Sequence, residues 1–170
     1  MSRPFITRGL GRSYGDAAVN PDGSVLDMTR QNHMIQFDAE TGLLECEGGV
    51  SLAEILEAFV SRGYFLPVTP GTKFVTVAGA IANDVHGKNH HLDGSFSRFV
   101  ESFDLWTPAR GIITCSAEEN SDVFRATVGG AGLTGVILKV RLRLRPVETA
   151  YVKVDYERCN HLDVALEKMA

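Results

Sequence analysis

The sequence is short of the features that mark several large classes of protein. It holds only three cysteines in 170 residues, Cys46, Cys115 and Cys159, an odd number set far apart. Such spacing suits neither a disulfide framework nor a zinc ribbon, and it predicts reduced, partly buried thiols in a cytoplasmic protein. No apolar run approaches the roughly 20 residues that a membrane-crossing helix needs, and Met1–Pro4 does not lead into the apolar core of a signal peptide. Lys and Arg never form a run, and 17 of them stand against 21 Asp and Glu for a net charge of -4. The basic stripe that nucleic-acid binding requires is therefore missing. There is no nucleophile elbow, no carboxylate pair at a glycosidase spacing, no internal repeat and no low-complexity tract. What is present is a hydrophobic fraction of 44% with 22% charged residues, the composition of a globular chain. Its length suits one domain or two small subdomains.

Local patterns predict a mixed order of elements. Pro4–Arg8 is short and apolar, and Ser24–Met28 reads as a strand after the Asn20–Gly23 turn. Met34–Asp38 and Leu43–Glu47 flank a hairpin connection. Ser51 and Glu54 then make a capping box ahead of Leu52, Ile55, Leu56 and Phe59 at helical spacing, and Gly63 stops that helix. Tyr64–Thr72 is extended, and Val75–Asp84 predicts a short, tightly packed helix. Glu101–Thr107 and Ile112–Cys115 read as strands, and a helix over Asp122–Val128 takes its N-cap from Ser121. Val136–Arg145 alternates, with Val136, Leu138, Val140, Leu142 and Leu144 on one face and Lys139, Arg141, Arg143 and Arg145 on the other. Those charges suit a solvated face, a face paired with carboxylates or, less simply, a polyanion site. Tyr151–Tyr156 reads as a further strand, and Asn160 caps a helix running to Ala170. Trp106 and most phenylalanines read as packing residues. The sum is an α+β fold of two layers.

Two glycine clusters invite a dinucleotide interpretation, and both fail on context. Gly9-x-Gly11-x-x-x-Gly15 is one residue off the fingerprint and leads into a turn rather than a helix. Gly130-x-Gly132-x-x-Gly135 has the spacing but follows a helix and precedes a strand. A third way to hold a pyrophosphate is a nest of inward-pointing loop amides, which needs no helix end. Gly9–Gly15 and Pro70–Thr72 both suit that role, with the Ser13 and Thr72 hydroxyls as extra donors; both also suit ordinary tight turns. The segment from Asp84 to His91 gathers Asp84, His86, Lys88, Asn89, His90 and His91. It suits a metal site, a loop that hydrogen-bonds an electron-rich cofactor or anionic substrate, or an exposed polar loop. Gly87 and Asn89 disfavour a helix here, and Lys88 places a cation among the would-be metal ligands.

Arg8–Asp16, Pro70–His91, Gly94–Leu105 and Phe124–Val136, in this order, resemble the FAD-binding domain of flavoprotein oxidoreductases of the vanillyl-alcohol-oxidase (PCMH) type. Within that family they are similar to the branch of decaprenylphosphoryl-ribose oxidases, the flavin subunits of an epimerase. The resemblance implies an α+β domain of two subdomains, residues 1–66 and 67–148, with residues 149–170 opening a substrate domain. It implies a chain shortened at both ends relative to the family, inactive by itself, with the catalytic base beyond it. Gly9, Leu10, Gly11, Arg12, Ser13 and Tyr14 would form the first pyrophosphate loop, and Gly71, Thr72 and Thr76 the second. Gly79, Asn83, Val85, His86, Gly87 and His90 would line the flavin and ribityl region, with Val136 at the adenine end. Tyr14 and Lys88 would face the substrate. Arg12 stands where many members carry the histidine that bonds flavin, so non-covalent FAD is implied. The implied reaction is oxidation of a sugar, alditol or lipid-linked sugar hydroxyl, with a reductase as partner in an epimerase pair. Non-catalytic FAD binding and a metal-dependent hydrolase or binding module centred on the histidine loop are the alternatives.

Overall fold

The computed structural model of the chain describes residues 4–169; residues 1–3 and Ala170 lie outside it. Strands β1 (Phe5–Arg8) and β2 (Ser24–Asp27) pair in parallel, with Ile6 opposite Val25. The Asn20–Gly23 turn ahead of β2 is closed by the Gly23 N–H donating to the Asn20 carbonyl. Strands β3 (Met34–Asp38) and β4 (Leu43–Glu47) form the expected hairpin, with Asp38 opposite Leu43. Helix α1 (Leu52–Phe59) starts on the expected capping box. Ser51 Oγ accepts from the Glu54 N–H at 3.1 Å, and Glu54 Oε2 accepts from the Ser51 N–H at 2.8 Å. Such a cap stabilises a helix by about 1 kcal/mol. The chain tightens through one 3-10 turn and stops at Gly63, whose φ of 81° is the left-handed conformation that glycine adopts without a steric penalty.

Next come β5 (Tyr64–Phe65), α2 (Val77–Ala82), α3 (His90–Asp93), β6 (Val100–Thr107), β7 (Gly111–Ser116) and α4 (Ser121–Thr127). The last elements are β8 (Val136–Arg143), β9 (Arg145–Pro146) and α5 (Leu162–Met169). The fold is α+β, as expected. An antiparallel sheet in the order β3-β4-β8-β6-β7 carries the core, and β5 pairs with β9. Leu44, Cys46, Phe103, Leu105, Val140 and Leu142 of this sheet bury against Leu52, Ile55 and Phe59 of α1 and Val77, Ala80 and Ile81 of α2. Strands from both sides of residue 66 share this sheet, because β4 pairs with β8.

Five local expectations change. In β8 the alternation holds from Val140 onward but breaks before it. Asp104 opposes Lys139 while Leu105 opposes Ile137, which leaves Leu138 without a partner. This bulge shifts the faces by one residue. Ile137 joins the core, while Val136 and Leu138 line an apolar pocket with Phe5, Val25, Leu26 and Trp106. Trp106 is only half-buried, its ring 6.2 Å from Phe5, and Phe65 and Phe74 are exposed. Helix α4 begins at Ser121 rather than after it. The preceding Asn120 provides no side-chain cap because its amide is engaged elsewhere, donating to the Thr114 carbonyl and accepting from Arg110. Tyr151–Tyr156 forms no strand, since no neighbouring segment offers it a ladder, and Tyr151, Val152, Val154 and Tyr156 are exposed. Helix α5 begins at Leu162, two residues after Asn160, and its expected last residue is outside the described range.

The charged face of β8 and β9 pairs with carboxylates. Lys139 Nζ lies 3.2 Å from Glu45 and 3.5 Å from Asp104, Arg141 lies 3.9 Å from Glu45, Arg143 bonds Glu101, and Arg145 lies 2.5 Å from Asp93. Each cation of the row thus has an anion beside it, which leaves the polyanion reading without support.

Candidate functional site

Three of the residues singled out from sequence, Thr76, Gly79 and Asn83, belong to α2 and its caps. Thr76 caps this helix, its Oγ1 accepting from the Gly79 N–H at 3.2 Å. The Val77 and Ala78 N–H groups donate to the Val50 and Gly48 carbonyls at 2.8 and 2.9 Å, and the Ala80 N–H donates to the Thr76 carbonyl. All four leading amides of α2 are therefore satisfied inside the protein. The helix end is not available to a phosphate.

The loop amides are available. Gly9 lies directly against the cap of α2, because a Cβ there would overlap Thr76 Oγ1 and lie 2.8 Å from Thr76 Cγ2. Gly11 and Gly15 take φ of 64° and 58°, so the loop is built on left-handed turns. Among the described residues, no backbone N–H from Leu10 to Gly15 donates to a protein acceptor, and neither do those of Gly71, Thr72 and Lys73. Thr72 Oγ1 accepts from the Phe74 N–H at 3.2 Å and so shapes the second loop. A Cβ at Gly71 would meet open space, and its φ is not positive, so neither packing nor backbone angle demands a glycine there. Arg12, Ser13 and Tyr14 are exposed, Tyr14 completely.

The histidine segment joins the second loop. Gly87 is buried, and a Cβ on it would lie 2.7 Å from both the Thr69 carbonyl oxygen and Asn89 Oδ1. Asn89 Nδ2 donates to the Pro67 carbonyl at 2.9 Å and to Asp93 at 2.6 Å. The segment is not all loop: after Asn89 it forms the single turn α3, which carries His90 and His91. His86 and His90 are exposed with ring centroids 5.4 Å apart, and Lys88 is exposed without a carboxylate partner among the described residues. No three His, Cys, Asp or Glu side chains among the described residues come together as metal ligands, so the metal alternative lacks a ligand set. Asn83 closes α2 with its Nδ2 donating to the Gly79 carbonyl at 2.9 Å, and Val85 packs on the core. Val136 stands apart from these residues, in the apolar pocket beside β1 and β2. Burial, with Glu45 and Glu47 beside it, pushes the Cys46 thiol up to about 12, which keeps it protonated and unreactive.

Two parts of the frame were not read from sequence. Gly48 and Gly49 pass close to other backbone: a Cβ on Gly48 would lie 2.5 Å from the Ile137 carbonyl oxygen, and one on Gly49 would overlap that of Met28. A Gly-Gly pair one residue ahead of a capping box was the available signal. Gly129 and Ala131 donate their N–H groups to the Ile81 and Ala82 carbonyls at 3.0 and 2.8 Å, which ties the second glycine cluster to the end of α2. The spacing that imitates a fingerprint thus serves packing.

The Arg145–Asp93 pair makes this anchorage sensitive to acid. The Arg145 guanidinium, then Asn89, hold the Asp93 carboxyl below its usual 3.8. Because the folded value is depressed, the contribution is present above 3.8 and disappears as pH falls through the folded value. Asp93→Asn should therefore lower the melting temperature at pH 6 and converge with the parent protein in strong acid, as thermal scans across pH would show.

The chain matches the family described as FAD binding domain over residues 1–116. It is 47% identical over 163 residues to decaprenylphosphoryl-beta-D-ribose oxidase of Mycolicibacterium smegmatis, covering 95% of this chain and 35% of that protein. It is 30% identical over 166 residues to cytokinin dehydrogenase 7 of Oryza sativa subsp. japonica, covering 95% and 31%. To L-gulonolactone oxidase of Mus musculus it is 30% identical over 166 residues, covering 94% and 37%. The chain spans about a third of the length of these relatives. Among the described residues, no helix is long and apolar enough to cross a membrane.

Proposed function

The chain belongs to the FAD binding domain family, and from that premise we propose that it holds FAD non-covalently between its two glycine loops for the oxidation of a sugar or alditol hydroxyl. The observation that carries this reading is the meeting of the first loop with the cap of α2, Gly9 against Thr76, in a frame whose loop amides are free and whose helix amides are not. The donor set fits the group. Consecutive free N–H groups on tight glycine turns suit a pyrophosphate, and the buried Gly87 allows a third segment to close on the second loop.

When bound, FAD supplies a hydride acceptor for converting a C–OH group to a carbonyl. The chain's own residues bind and orient. Leu10–Gly15 and Gly71–Lys73 hold the phosphates, His86, Gly87 and His90 flank the flavin, and Val136 with its apolar pocket receives the adenine end. The exposed Tyr14 and Lys88 are left for the substrate side, where the Lys88 ammonium would favour an alkoxide or a substrate phosphate. A lipid-linked sugar is the substrate class supported by the 47% identical relative, whose name specifies a decaprenylphosphoryl ribose.

Adding FAD should raise the melting temperature, because a ligand selective for the folded state stabilises it by about 2.7 kcal/mol at 100 times Kd. Acid denaturation followed by filtration should then leave the flavin in the filtrate, since arginine at position 12 cannot form the covalent bond. The absence of a thermal shift at millimolar FAD would overturn the reading, and flavin retained on the polypeptide would overturn the non-covalent part.

A further inference from the structure

Helix α2 ends in a Schellman arrangement. The Asp84 N–H donates to the Ile81 carbonyl and the Val85 N–H to the Ala80 carbonyl, both at 3.0 Å. Asp84 itself has a φ of 40°. In this left-handed position glycine is the unstrained choice, and any residue with a Cβ carries a cost. The aspartate is therefore explained by its carboxylate rather than by its backbone.

That carboxylate reaches across the loop that follows. Its Oδ1 accepts from the Ser97 N–H at 3.1 Å, and its Oδ2 accepts from the Ser95 hydroxyl at 2.8 Å. Ser97 belongs to the 3-10 turn Phe96–Phe99, which receives no cap from the side chain of its own leading residue, Ser95. Asp84 thus caps this turn from a distance in sequence. Backbone contacts beside it complete the closure: the Phe96 N–H donates to the Val85 carbonyl at 2.9 Å, and His86 and Ser95 form an antiparallel bridge. One carboxylate ties the two ends of the loop from His86 to Gly94. Within that loop lie His86, Gly87 and His90, together with the N–H groups of Lys88 and Asn89, which find no protein acceptor among the described residues.

We propose that Asp84 is a positioning residue for the flavin-side loop: its carboxylate, without contacting the cofactor, holds His86–Gly94 in the arrangement that receives FAD. The inference rests on the FAD reading above and adds a residue outside the two glycine loops and the histidines. It separates two roles that coincide at this position. Glycine would satisfy the helix end alone, whereas asparagine tolerates the left-handed backbone and keeps an acceptor for Ser97.

The test compares the parent chain with Asp84→Gly, Asp84→Asn and Ser95→Ala, by melting temperature without ligand, by FAD titration through flavin fluorescence, and by visible circular dichroism of the bound flavin. Asp84→Gly should bind FAD about tenfold more weakly, the scale of a lost supporting contact around a bound group, and should alter the dichroism of what it binds. Its ligand-free melting temperature should move little, because relief of the left-handed strain offsets the lost bonds. Asp84→Asn should recover the parent dichroism and most of the affinity. Ser95→Ala removes one contact without touching the backbone, so it should shift affinity in the same direction by a smaller factor, and it carries the test if Asp84→Gly does not fold. Equal affinity and identical dichroism across parent, Asp84→Gly and Ser95→Ala would overturn the proposal while leaving FAD binding intact. A parent chain that binds no FAD would overturn the underlying reading as well.

Discussion

Gly9→Ala is expected to weaken FAD binding by about 100-fold. The added Cβ would overlap Thr76 Oγ1, the atom that caps α2. Thr76 is buried and engaged with the Gly79 N–H, so it cannot turn away without releasing that amide. The first loop must move instead, and its amides leave the position that faces a pyrophosphate. Losing two hydrogen bonds to a charged group at about 1.5 kcal/mol each corresponds to the stated factor in Kd. The loop is exposed and outside the core cluster, so the melting temperature without ligand should change far less than the affinity. Fluorescence titration reads the effect, and a Kd within threefold of the parent would show that the first loop does not hold the cofactor.

Gly49→Ala should produce the largest loss of stability of any single methyl addition considered. Its Cβ would overlap the Met28 carbonyl oxygen and lie 2.6 Å from that of Gln31. Both obstacles are backbone, and Gly49 also donates its N–H to the Gln31 carbonyl at 2.8 Å, so neither segment can retreat without breaking a bond. Overpacking of this kind costs about 3 kcal/mol, a large share of the roughly 5–15 kcal/mol that holds a domain together. Urea denaturation should show a lower midpoint at an unchanged slope. A loss under about 1 kcal/mol would mean that the Met28–Gln31 turn yields more readily than its hydrogen bonds indicate.

Signals confined to a few neighbouring residues were legible in the sequence. The Ser51–Glu54 capping box, the hairpin of β3 and β4 and the stop at Gly63 all stand where local chemistry places them. The failed dinucleotide context of Gly9–Gly15 was equally informative, since the residues after Gly15 form a turn and no helix. Signals that depend on a partner were not legible. Ser121 reads as the N-cap of α4, but the helix takes it in as its first residue, and the side chain of Asn120 ahead of it is held by Arg110 and Thr114. Leu138 looks like a core residue until the pairing of β6 with β8 leaves it without a partner. Tyr151–Tyr156 has the alternation of a strand but no ladder to join.

The amino-acid sequence by itself determined the α+β class and the short-range caps and turns, because each depends on interactions within a few residues along the chain, and its motifs carried the resemblance to an FAD-binding domain. Tertiary structure decided which loop meets which. Gly9 reaches Thr76, Gly87 reaches Thr69, and the Asp84 carboxylate closes the histidine loop through Ser95 and Ser97. These contacts join residues that the chain separates, so their geometry follows from how α2 packs on the sheet and from no local propensity.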